Sequence, residues 1–468
     1  MKRSLCAALS AVLLAALLLA SCGGSQGQEP IDTEEAVTIP PITIPTEPDG
    51  REYTDLTPYV EQLSLLFSTT PVAPAADFTY EVGSDGVTVT GYVGGEVAVV
   101  IPDTLEDKPV VAIAEGAFAD MAILRAVSVP DTVTSIGAGA FAGCQNLTSL
   151  RTPVYTCEDA PYFGALFGAQ SYDAQGSAVP AGLSTLVLTR GEVIPDYAFY
   201  ACRGLTAVAL PNTLVEIGNF AFYGCQSLVH IPARETVLTS VGEHAFTNCA
   251  DLLTLELPAT VESLGFGMLE GCGALESLVL PFVGGSRGEE ESSYLGYLFG
   301  AADYAFTAGY LPASLISVEL LFGCGDIPAN AFFECGSVRV FTIPEGVTSI
   351  GRRAFYGCEK LAAVTLPDSV RSLGDDAYHG CIRLASFAGG AALAEMGVQV
   401  FMDCVSLTTV ILPDSVTHLP NAAFAGCISL ETLTANGVTT QGKQVFRHCD
   451  KLAGTEWMPY VAVPTETE

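Results

Sequence analysis

The chain has 468 residues, of which 52 are Asp or Glu and only 19 are Lys or Arg, so its formal net charge at pH 7 is −33. A field of this sign repels polyanions and excludes nucleic acid as a partner. After residue 20 no apolar run reaches the 18 or so residues of a membrane-spanning helix, which predicts a body outside the bilayer.

The N-terminus has the pattern of a secretory leader, with two basic residues followed by an apolar run over 5–20. This run is short for a stable transmembrane helix, so we predict a signal peptide over 1–21. Residues 19–22 (Leu-Ala-Ser-Cys) resemble the lipobox of bacterial lipoproteins, which implies that Cys22 is lipidated and becomes the first mature residue. The alternative is cleavage by an ordinary signal peptidase without a lipid.

Residues 22–77 are predicted to form a lipid-anchored flexible tether. Its first part, to about residue 49, is rich in Gly, Gln, Thr, Pro and Glu and cannot bury enough apolar surface to fold. A short helix is predicted near 57–67, because Thr57-Pro58 is a typical helix start and an apolar stripe follows it. We expect this helix to dock on the next domain, with recognition of a partner as the alternative.

Residues 78–454 are predicted to form one elongated repeat domain. Apolar and polar residues alternate over 78–100 around Asp85-Gly86, which indicates a β-hairpin that caps the first repeat. The repeat is clearest over 338–381, where eleven positions of a 23-residue unit recur. A period of this length indicates a stacked solenoid, because one unit cannot bury its own apolar side.

Each unit is predicted to form one coil with two strand-like edges and one tight turn. In the unit that starts at Val338, apolar residues alternate up to Pro344, which ends the first strand. Gly351 is expected to adopt a backbone conformation that other residues reach only at a cost. A helical or 3₁₀ turn should place Phe355 inside. This inward position recurs in twelve units, at Phe118, Phe141, Phe199, Phe222, Phe246, Leu269, Phe332, Phe355, Tyr378, Phe401, Phe424 and Phe446.

Eleven of the fifteen cysteines occupy one position of successive units. Stacked coils lie about 4.8 Å apart, but equivalent side chains point the same way, so their Cβ atoms cannot approach to the roughly 3.8 Å of a disulfide. We therefore predict a column of free, buried thiols, formed by Cys144, Cys202, Cys225, Cys249, Cys272, Cys335, Cys358, Cys381, Cys404, Cys427 and Cys449.

The cysteine spacing of 22 to 24 residues is interrupted twice, by intervals of 58 and 63 residues. Each interval is predicted to hold an inserted arm, at 150–183 and at 282–315. The arms share the related segments Tyr-Phe-Gly-Ala-Leu-Phe-Gly-Ala and Tyr-Leu-Gly-Tyr-Leu-Phe-Gly-Ala, so a block of about 130 residues is duplicated. The two arms should leave the same face of the solenoid, four coils apart.

The arms are predicted to form the binding surface, because insertions in repeat proteins often lie on the binding face. They contain seven of the 17 tyrosines, which suit recognition of protein or sugar: Tyr155, Tyr162, Tyr172, Tyr294, Tyr297, Tyr304 and Tyr310. The alternative is that the arms fold back as small aromatic cores, which we favour for their Leu-Phe pairs. The run 289–291 (Glu-Glu-Glu) is interpreted as a solvated charge run rather than a calcium site.

The sequence contains no catalytic or metal-binding motif, so no catalytic residue, metal ligand or cofactor is predicted and the protein is not expected to be an enzyme. The segment 437–443 (Gly-Val-Thr-Thr-Gln-Gly-Lys) is one residue shorter than a phosphate-binding loop, and Gln444 replaces the Ser or Thr that would bind magnesium. The five histidines occupy different positions of the repeat and show no paired spacing.

The unit L-x-x-V-x-L-P-x-x-V-x-x-L-G-x-x-A-F-x-G-C resembles the BspA-like class of leucine-rich repeats, found in bacterial surface proteins and some parasites. The resemblance covers roughly residues 97–454. It implies a leucine-rich-repeat solenoid, a β/α superhelix built mostly of short parallel β-strands with helical or 3₁₀ turns. It also implies a binding or adhesive surface but no shared active site.

Together these features predict a monomeric, non-catalytic lipoprotein at the bacterial cell surface, anchored in the membrane through Cys22. It should recognise an extracellular protein or polysaccharide through a solenoid face and its tyrosine-rich arms. One alternative is a structural or self-assembling spacer of the envelope, and another is a hydrolase with a site between arm and solenoid. An acidic tail is predicted over 455–468.

Overall fold

The computed structural model describes residues 67–288 and 291–452. Phe67, the last residue of the predicted helix, is buried. None of the helices in these two ranges has the length and apolar character needed to cross a bilayer. Outside the described residues lie the predicted signal peptide over 1–21, Cys22, most of the tether over 22–77, most of the helix near 57–67, residues 289–290 and the tail over 455–468.

An antiparallel hairpin opens the domain, as predicted. Strand β1 (Phe78–Val82) pairs with β2 (Val87–Tyr92) around Gly86. Strand β2 also pairs in parallel with β5 (Lys108–Ile113), so the hairpin joins the edge of the solenoid. A short 3₁₀ turn precedes β1, and β4 (Thr104–Leu105) pairs antiparallel with β5.

The solenoid contains two columns of short parallel strands, which confirms the predicted fold class. The first column consists of a ten-stranded sheet followed by a four-stranded sheet. Its strands are β3 (Ala98–Val100), β6 (Ala126–Ser128), β8 (Ser149–Thr152), β9 (Thr185–Leu188), β11 (Ala207–Ala209), β13 (His230–Ile231), β15 (Thr254–Glu256), β17 (Ser277–Leu280), β18 (Ser317–Leu320), β19 (Val340–Thr342), β21 (Ala363–Thr365), β23 (Ser386–Ala388), β25 (Thr409–Ile411) and β27 (Thr432–Thr434).

The second column consists of two-residue strands on the other edge of the coils. Their side chains alternate so that the second residue points into the core in most coils. Besides β5, its strands are β7 (Ser135–Ile136), β10 (Val193–Ile194), β12 (Glu216–Ile217), β14 (Ser240–Val241), β16 (Ser263–Leu264), β20 (Ser349–Ile350), β22 (Ser372–Leu373), β24 (Glu395–Met396), β26 (His418–Leu419) and β28 (Thr440–Gln441).

Neighbouring coils pair residues that are equivalent in the repeat. Val364 in β21 pairs with Phe387 in β23, which pairs with Val410 in β25. These central residues are buried, whereas the residues on either side of Val364 are exposed. The apolar alternation of the sequence therefore produces one buried row along the solenoid.

The aromatic residues at the inward position stack on one another along the core. Phe355 and Tyr378 have ring centroids 5.1 Å apart with an interplanar angle of 1°, and the rings of Phe401 and Phe424 are 5.5 Å apart. Each ring is covered by its neighbours in the adjacent coils, so a single coil would leave its ring exposed to water.

The cysteine column is also confirmed, because all eleven members are free and buried. In most coils the thiol donates a hydrogen bond to the carbonyl of the inward aromatic residue in the preceding coil, for example from Cys381 to Phe355 at 3.2 Å and from Cys404 to Tyr378 at 3.1 Å. Burial raises the pKa of most of these thiols, to about 12 for Cys272, whereas a hydrogen bond with Cys427 lowers the pKa of Cys449. Cysteine therefore supplies a donor as well as a small apolar volume.

The prediction that the repeat glycine adopts a backbone conformation costly for other residues is wrong. Gly351 has no left-handed backbone, but a Cβ at this position would lie 2.5 Å from the backbone nitrogen of Ala329 in the preceding coil. In the turn that follows Gly351, the left-handed positions are Arg353, with φ of 55°, and Gly357, with φ of 68°. These two residues interrupt the predicted helical turn, so Phe355 lies in a series of hydrogen-bonded turns instead.

The two predicted arms are in fact additional, enlarged coils, so the first strand column shows fourteen coils rather than twelve. In the first, Phe163–Phe167 form a 3₁₀ turn in the position of the regular turn. The amide of Phe141 donates to Leu166 O at 2.8 Å, and the amide of Phe163 donates to Ala198 O at 2.8 Å. The segment 150–183 thus hydrogen-bonds to both neighbouring coils, as a regular unit does.

The second enlarged coil repeats this arrangement with a 3₁₀ turn at Leu295–Phe299. Its Leu-Phe pair, like that of the first, is buried, as our alternative interpretation predicted. The extra residues form short helices at the surface, namely Gln175–Ala178 in the first coil and Tyr304–Phe306 followed by Thr307–Tyr310 in the second.

The enlarged coils differ in one buried polar residue. Gln175 is fully buried, accepts a hydrogen bond from Gly164 N at 2.8 Å and donates one to Tyr197 O at 2.9 Å. Thr307 occupies the equivalent position, is also fully buried, and its hydroxyl has no partner. An unpaired buried hydroxyl destabilises the fold, whereas a fully bonded amide does not.

We expect Gln175→Leu to lower the free energy of unfolding by ~1–3 kcal/mol, because it leaves a buried amide and a buried carbonyl unpaired. The matched change Thr307→Val should be neutral or stabilising, because it removes a hydroxyl that bonds nothing. Urea denaturation followed by circular dichroism measures both. Equal destabilisation by the two variants would contradict the difference between the coils.

Thiol alkylation tests the cysteine column. In the native chain the half-buried Cys157 and Cys324 should react with iodoacetamide before the column thiols, because burial shields the column thiols from the reagent. All thirteen should react in urea without reductant, as measured by mass spectrometry. Column cysteines that stay unmodified in urea would instead indicate disulfides.

Candidate binding surface

Two of the seven candidate binding tyrosines are part of the core, and their assignment to a binding surface is wrong. Tyr155 is 8% exposed, its ring centroid lies 5.6 Å from that of Phe199, and its hydroxyl donates to Val193 O. Tyr294 is 6% exposed and its hydroxyl donates to Ala301 O at 2.8 Å. Burial raises the pKa of the Tyr155 phenol to about 12. Both rings fill space that the extra length of the enlarged coils creates.

The other five tyrosines lie at the surface of the enlarged coils. Tyr162 is half-buried and hydrogen-bonds to Ala169 O at 3.3 Å. Tyr297 and Tyr304 are half-buried against rings of neighbouring coils. Tyr172 is 40% exposed and Tyr310 is 46% exposed.

The structure places Tyr172 and Tyr297 at the two ends of a line of aromatic side chains that runs from the first enlarged coil to the second. The line follows the turn segments, and most of its members are half-buried. We call it the aromatic stripe; its members are Tyr172, Tyr197, Tyr200, Phe220, Tyr223, His244, Phe266 and Tyr297.

The rings of the stripe are in direct contact. Tyr197 and Phe220 stack at 5.2 Å with an interplanar angle of 1°, and Tyr200 and Tyr223 stack at 4.9 Å and 6°. Tyr172 stacks on Tyr197 at 4.3 Å. A shorter line of the same kind continues from the second enlarged coil through Tyr304, Phe333, Tyr356 and His379.

Three stripe residues occupy a backbone position that favours glycine. Tyr197, Phe220 and His244 have φ of 58°, 54° and 53°. Side chains pay roughly 1–2 kcal/mol for this left-handed conformation. At this position three other coils have glycine and six have other residues with the same left-handed backbone, namely Gly116, Gly139, Gly267, Asn330, Arg353, Asp376, Gln399, Ala422 and Gln444. The turn thus accepts residues of several kinds here, and its conformation does not require an aromatic side chain.

Sequence reasoning missed most of the stripe, although the signal was present. Tyr197, Phe220 and His244 each lie two residues before the inward residue of their unit, and Tyr200 and Tyr223 each lie one residue after it. An excess of tyrosine within the arms does not reveal these residues, because the signal lies in the comparison of outward positions between units. The repeat places such equivalent positions side by side.

A cavity of about 330 Å³ lies beside the second enlarged coil, where a cryptic hydrolase site was an alternative prediction. Its polar lining includes Arg287, Cys324 and Asp326. The Arg287 guanidinium donates to the carbonyls of Gly323 and Ala259. The Cys324 thiol donates to Gly325 O at 3.3 Å, and burial raises its pKa.

Asp326 also has a structural role in this cavity. Its Oδ1 accepts hydrogen bonds from the backbone amides of Thr348 at 2.7 Å and Ser349 at 3.0 Å. Burial alone would raise the pKa of Asp326, but the hydrogen bonds from Thr348 and Ser349 outweigh it and lower the pKa. No histidine lines the cavity, and within 67–288 and 291–452 no group of three or more His, Cys, Asp or Glu residues is arranged to hold a metal ion.

Comparison with protein families identifies the repeat. The model described as "BspA type Leucine rich repeat region (6 copies)" matches residues 100–160, 192–283 and 325–453, more than half of the chain. The chain belongs to the BspA-type leucine-rich-repeat family. This finding confirms the resemblance drawn from the repeat unit.

The matched ranges leave two gaps, and both coincide with the enlarged coils. In this leucine-rich-repeat protein the family match stops at residue 160, after β8, and again at residue 283, after β17. The 3₁₀ turns that replace the regular turn follow in each gap. The enlarged coils are therefore departures from the family's repeat pattern that keep its stacking contacts.

Solved structures of bacterial leucine-rich-repeat proteins are similar to this chain. A leucine-rich cell surface protein from Faecalibacterium prausnitzii is 24% identical over 79% of this chain and 96% of its own, with a TM-score of 0.31. A leucine-rich-repeat protein from Bacteroides ovatus is 22% identical over 82% of this chain and 81% of its own, with a TM-score of 0.31. These low scores carry no argument about function. No curated protein matches the sequence.

Proposed function

We propose that the protein is a non-catalytic binding module that recognises an extracellular protein or polysaccharide through the aromatic stripe. The observation that carries this proposal is the continuous line of outward aromatic residues in ring contact, from Tyr172 to Tyr297. Tyrosine offers a large contact area at a low cost in conformational entropy and is enriched at binding hot spots. Tyr162, Tyr304 and Tyr310 extend the surface on the enlarged coils.

We further propose that the protein works at the bacterial cell surface as a lipoprotein. The signal peptide predicted over 1–21 and the lipobox-like residues 19–22 support lipidation of Cys22. Residues 23–49 would then hold the solenoid away from the membrane, so that the stripe can reach a partner.

A binding role explains the cavity and the stripe better than a catalytic role does. The cavity's guanidinium, thiol and carboxylate are each engaged in contacts with backbone groups. A hydrolytic site needs a nucleophile next to a base, and Arg287, Cys324 and Asp326 do not provide that pair. The protein is therefore proposed to have no enzymatic activity.

Removal of three stripe tyrosines tests the proposed function. We expect Tyr172→Ala/Tyr200→Ala/Tyr223→Ala to weaken binding of the soluble chain to an array of extracellular proteins and polysaccharides by about tenfold or more, as expected for hot-spot residues. The control Phe322→Ala/Ile411→Ala/Ile428→Ala removes three exposed apolar side chains outside the stripe and should bind like the wild type.

Circular dichroism establishes that both variants are folded, and sedimentation of the wild type shows whether it is a monomer. Equal binding by wild type and stripe variant would contradict a binding role for the stripe. Self-association that the stripe variant abolishes would instead support the alternative of a self-assembling spacer.

A further inference from the structure

The ring faces of the stripe are largely occupied by one another. Tyr197, Phe220 and His244 follow in face-to-face stacks with centroid distances of 5.2 and 5.1 Å. Tyr200 and Tyr223 cover each other in the same way. Such a stack presents ring edges and phenol hydroxyls to the solvent, and at Tyr172 it also leaves a ring that is 40% exposed.

This geometry discriminates between the two ligand classes of the proposed function. Apolar C–H groups of a flat ligand, such as a sugar ring, gain most when they lie on an open aromatic face. In the stripe those faces are largely closed, so it is less suited to a polysaccharide than to a protein. Ring edges and hydroxyls instead suit the varied apolar stems and hydrogen-bonding groups of protein side chains.

Carboxylates lie next to the rings. Asp173, Asp196 and Glu243 are exposed and directly adjoin stripe residues in the sequence. Glu270 lies with its Oε2 3.5 Å from His244 Nδ1. Asp196 accepts a 2.6 Å hydrogen bond from the backbone amide of Asn219. Each of the four carboxylates can accept further hydrogen bonds from a ligand, because a carboxylate has about four lone-pair sites.

Few cations balance these carboxylates. The chain between Tyr172 and Tyr297 contains four arginines and no lysine. Three of the arginines are engaged elsewhere, with Arg190 on Val133 O, Arg234 on Glu256 at 2.9 Å, and Arg287 on the carbonyls of Gly323 and Ala259. The fourth arginine, Arg203, lies close to the stripe residue Tyr200 in the sequence.

We propose that the aromatic stripe binds a cationic protein segment. The charged ends of the partner's Lys or Arg side chains contact the carboxylates of Asp173, Asp196, Glu243 and Glu270. The aliphatic stems of the same side chains lie against the ring edges of Tyr200 and Tyr223. The inference rests on the proposed function and specifies its ligand class. The net charge of −33 would steer such a partner towards the protein, and the stripe would give the contact its location.

A display library of random dodecapeptides tests this proposal with the full soluble chain. Peptides selected by the wild type should be enriched in Lys and Arg and should bind more weakly as ionic strength rises. For the selected consensus peptide we expect a loss of affinity of about tenfold or more in the variant Asp173→Asn/Asp196→Asn/Glu243→Gln/Glu270→Gln. The change Asp196→Asn retains an oxygen acceptor for the backbone amide of Asn219.

The control variant is Glu216→Gln/Glu262→Gln/Glu395→Gln/Asp414→Asn, which changes the net charge equally at four exposed positions outside the stripe. It should keep at least half of the wild-type affinity. An equal loss in both variants would overturn the proposal in favour of a general charge effect. If the tyrosine variant loses affinity and the stripe-carboxylate variant does not, the cationic partner is overturned but the proposed function stands. Stripe-dependent binding to a neutral polysaccharide would lead to the same conclusion.

Discussion

The structure depends on backbone hydrogen bonds between equivalent positions of successive coils. The amide of Phe355 donates to Ala377 O at 2.8 Å, and the amide of Tyr378 donates to Val400 O at 2.9 Å in the next coil. These bonds require the coils to approach so closely that Gly351 has no room for a Cβ. A residue added or lost inside a turn would shift every later bond, which is why the regular units keep their length nearly constant.

The enlarged coils show how this constraint tolerates an insertion. Their extra residues form short surface helices, while the 3₁₀ turn at Phe163–Phe167 keeps the hydrogen bonds to both neighbours. The second enlarged coil uses the same solution at Leu295–Phe299, five strands further along the first sheet. Insertions therefore change the outer surface of the turns without interrupting the core.

The stacking that stabilises the core also creates the candidate binding surface. Any outward position is repeated at the spacing of the coils, so aromatic residues at that position become a continuous line. Tyr197 and Phe220 belong to different units, yet their rings are 5.2 Å apart and nearly parallel. The closed ring faces and the neighbouring carboxylates then make a surface suited to cationic protein side chains.

The repeat, the hairpin cap, the inward aromatic residues and the cysteine column could be predicted from the sequence, because the apolar pattern of each unit specifies which side chains are buried. That 150–183 and 282–315 are coils became apparent in the folded chain, since their contacts to neighbouring coils use backbone groups that carry no sequence signal. The same is true of the burial of Tyr155 and Tyr294 and the exposure of Tyr172. The surface of a solenoid is assembled from residues of different units, so composition within one segment cannot reveal it.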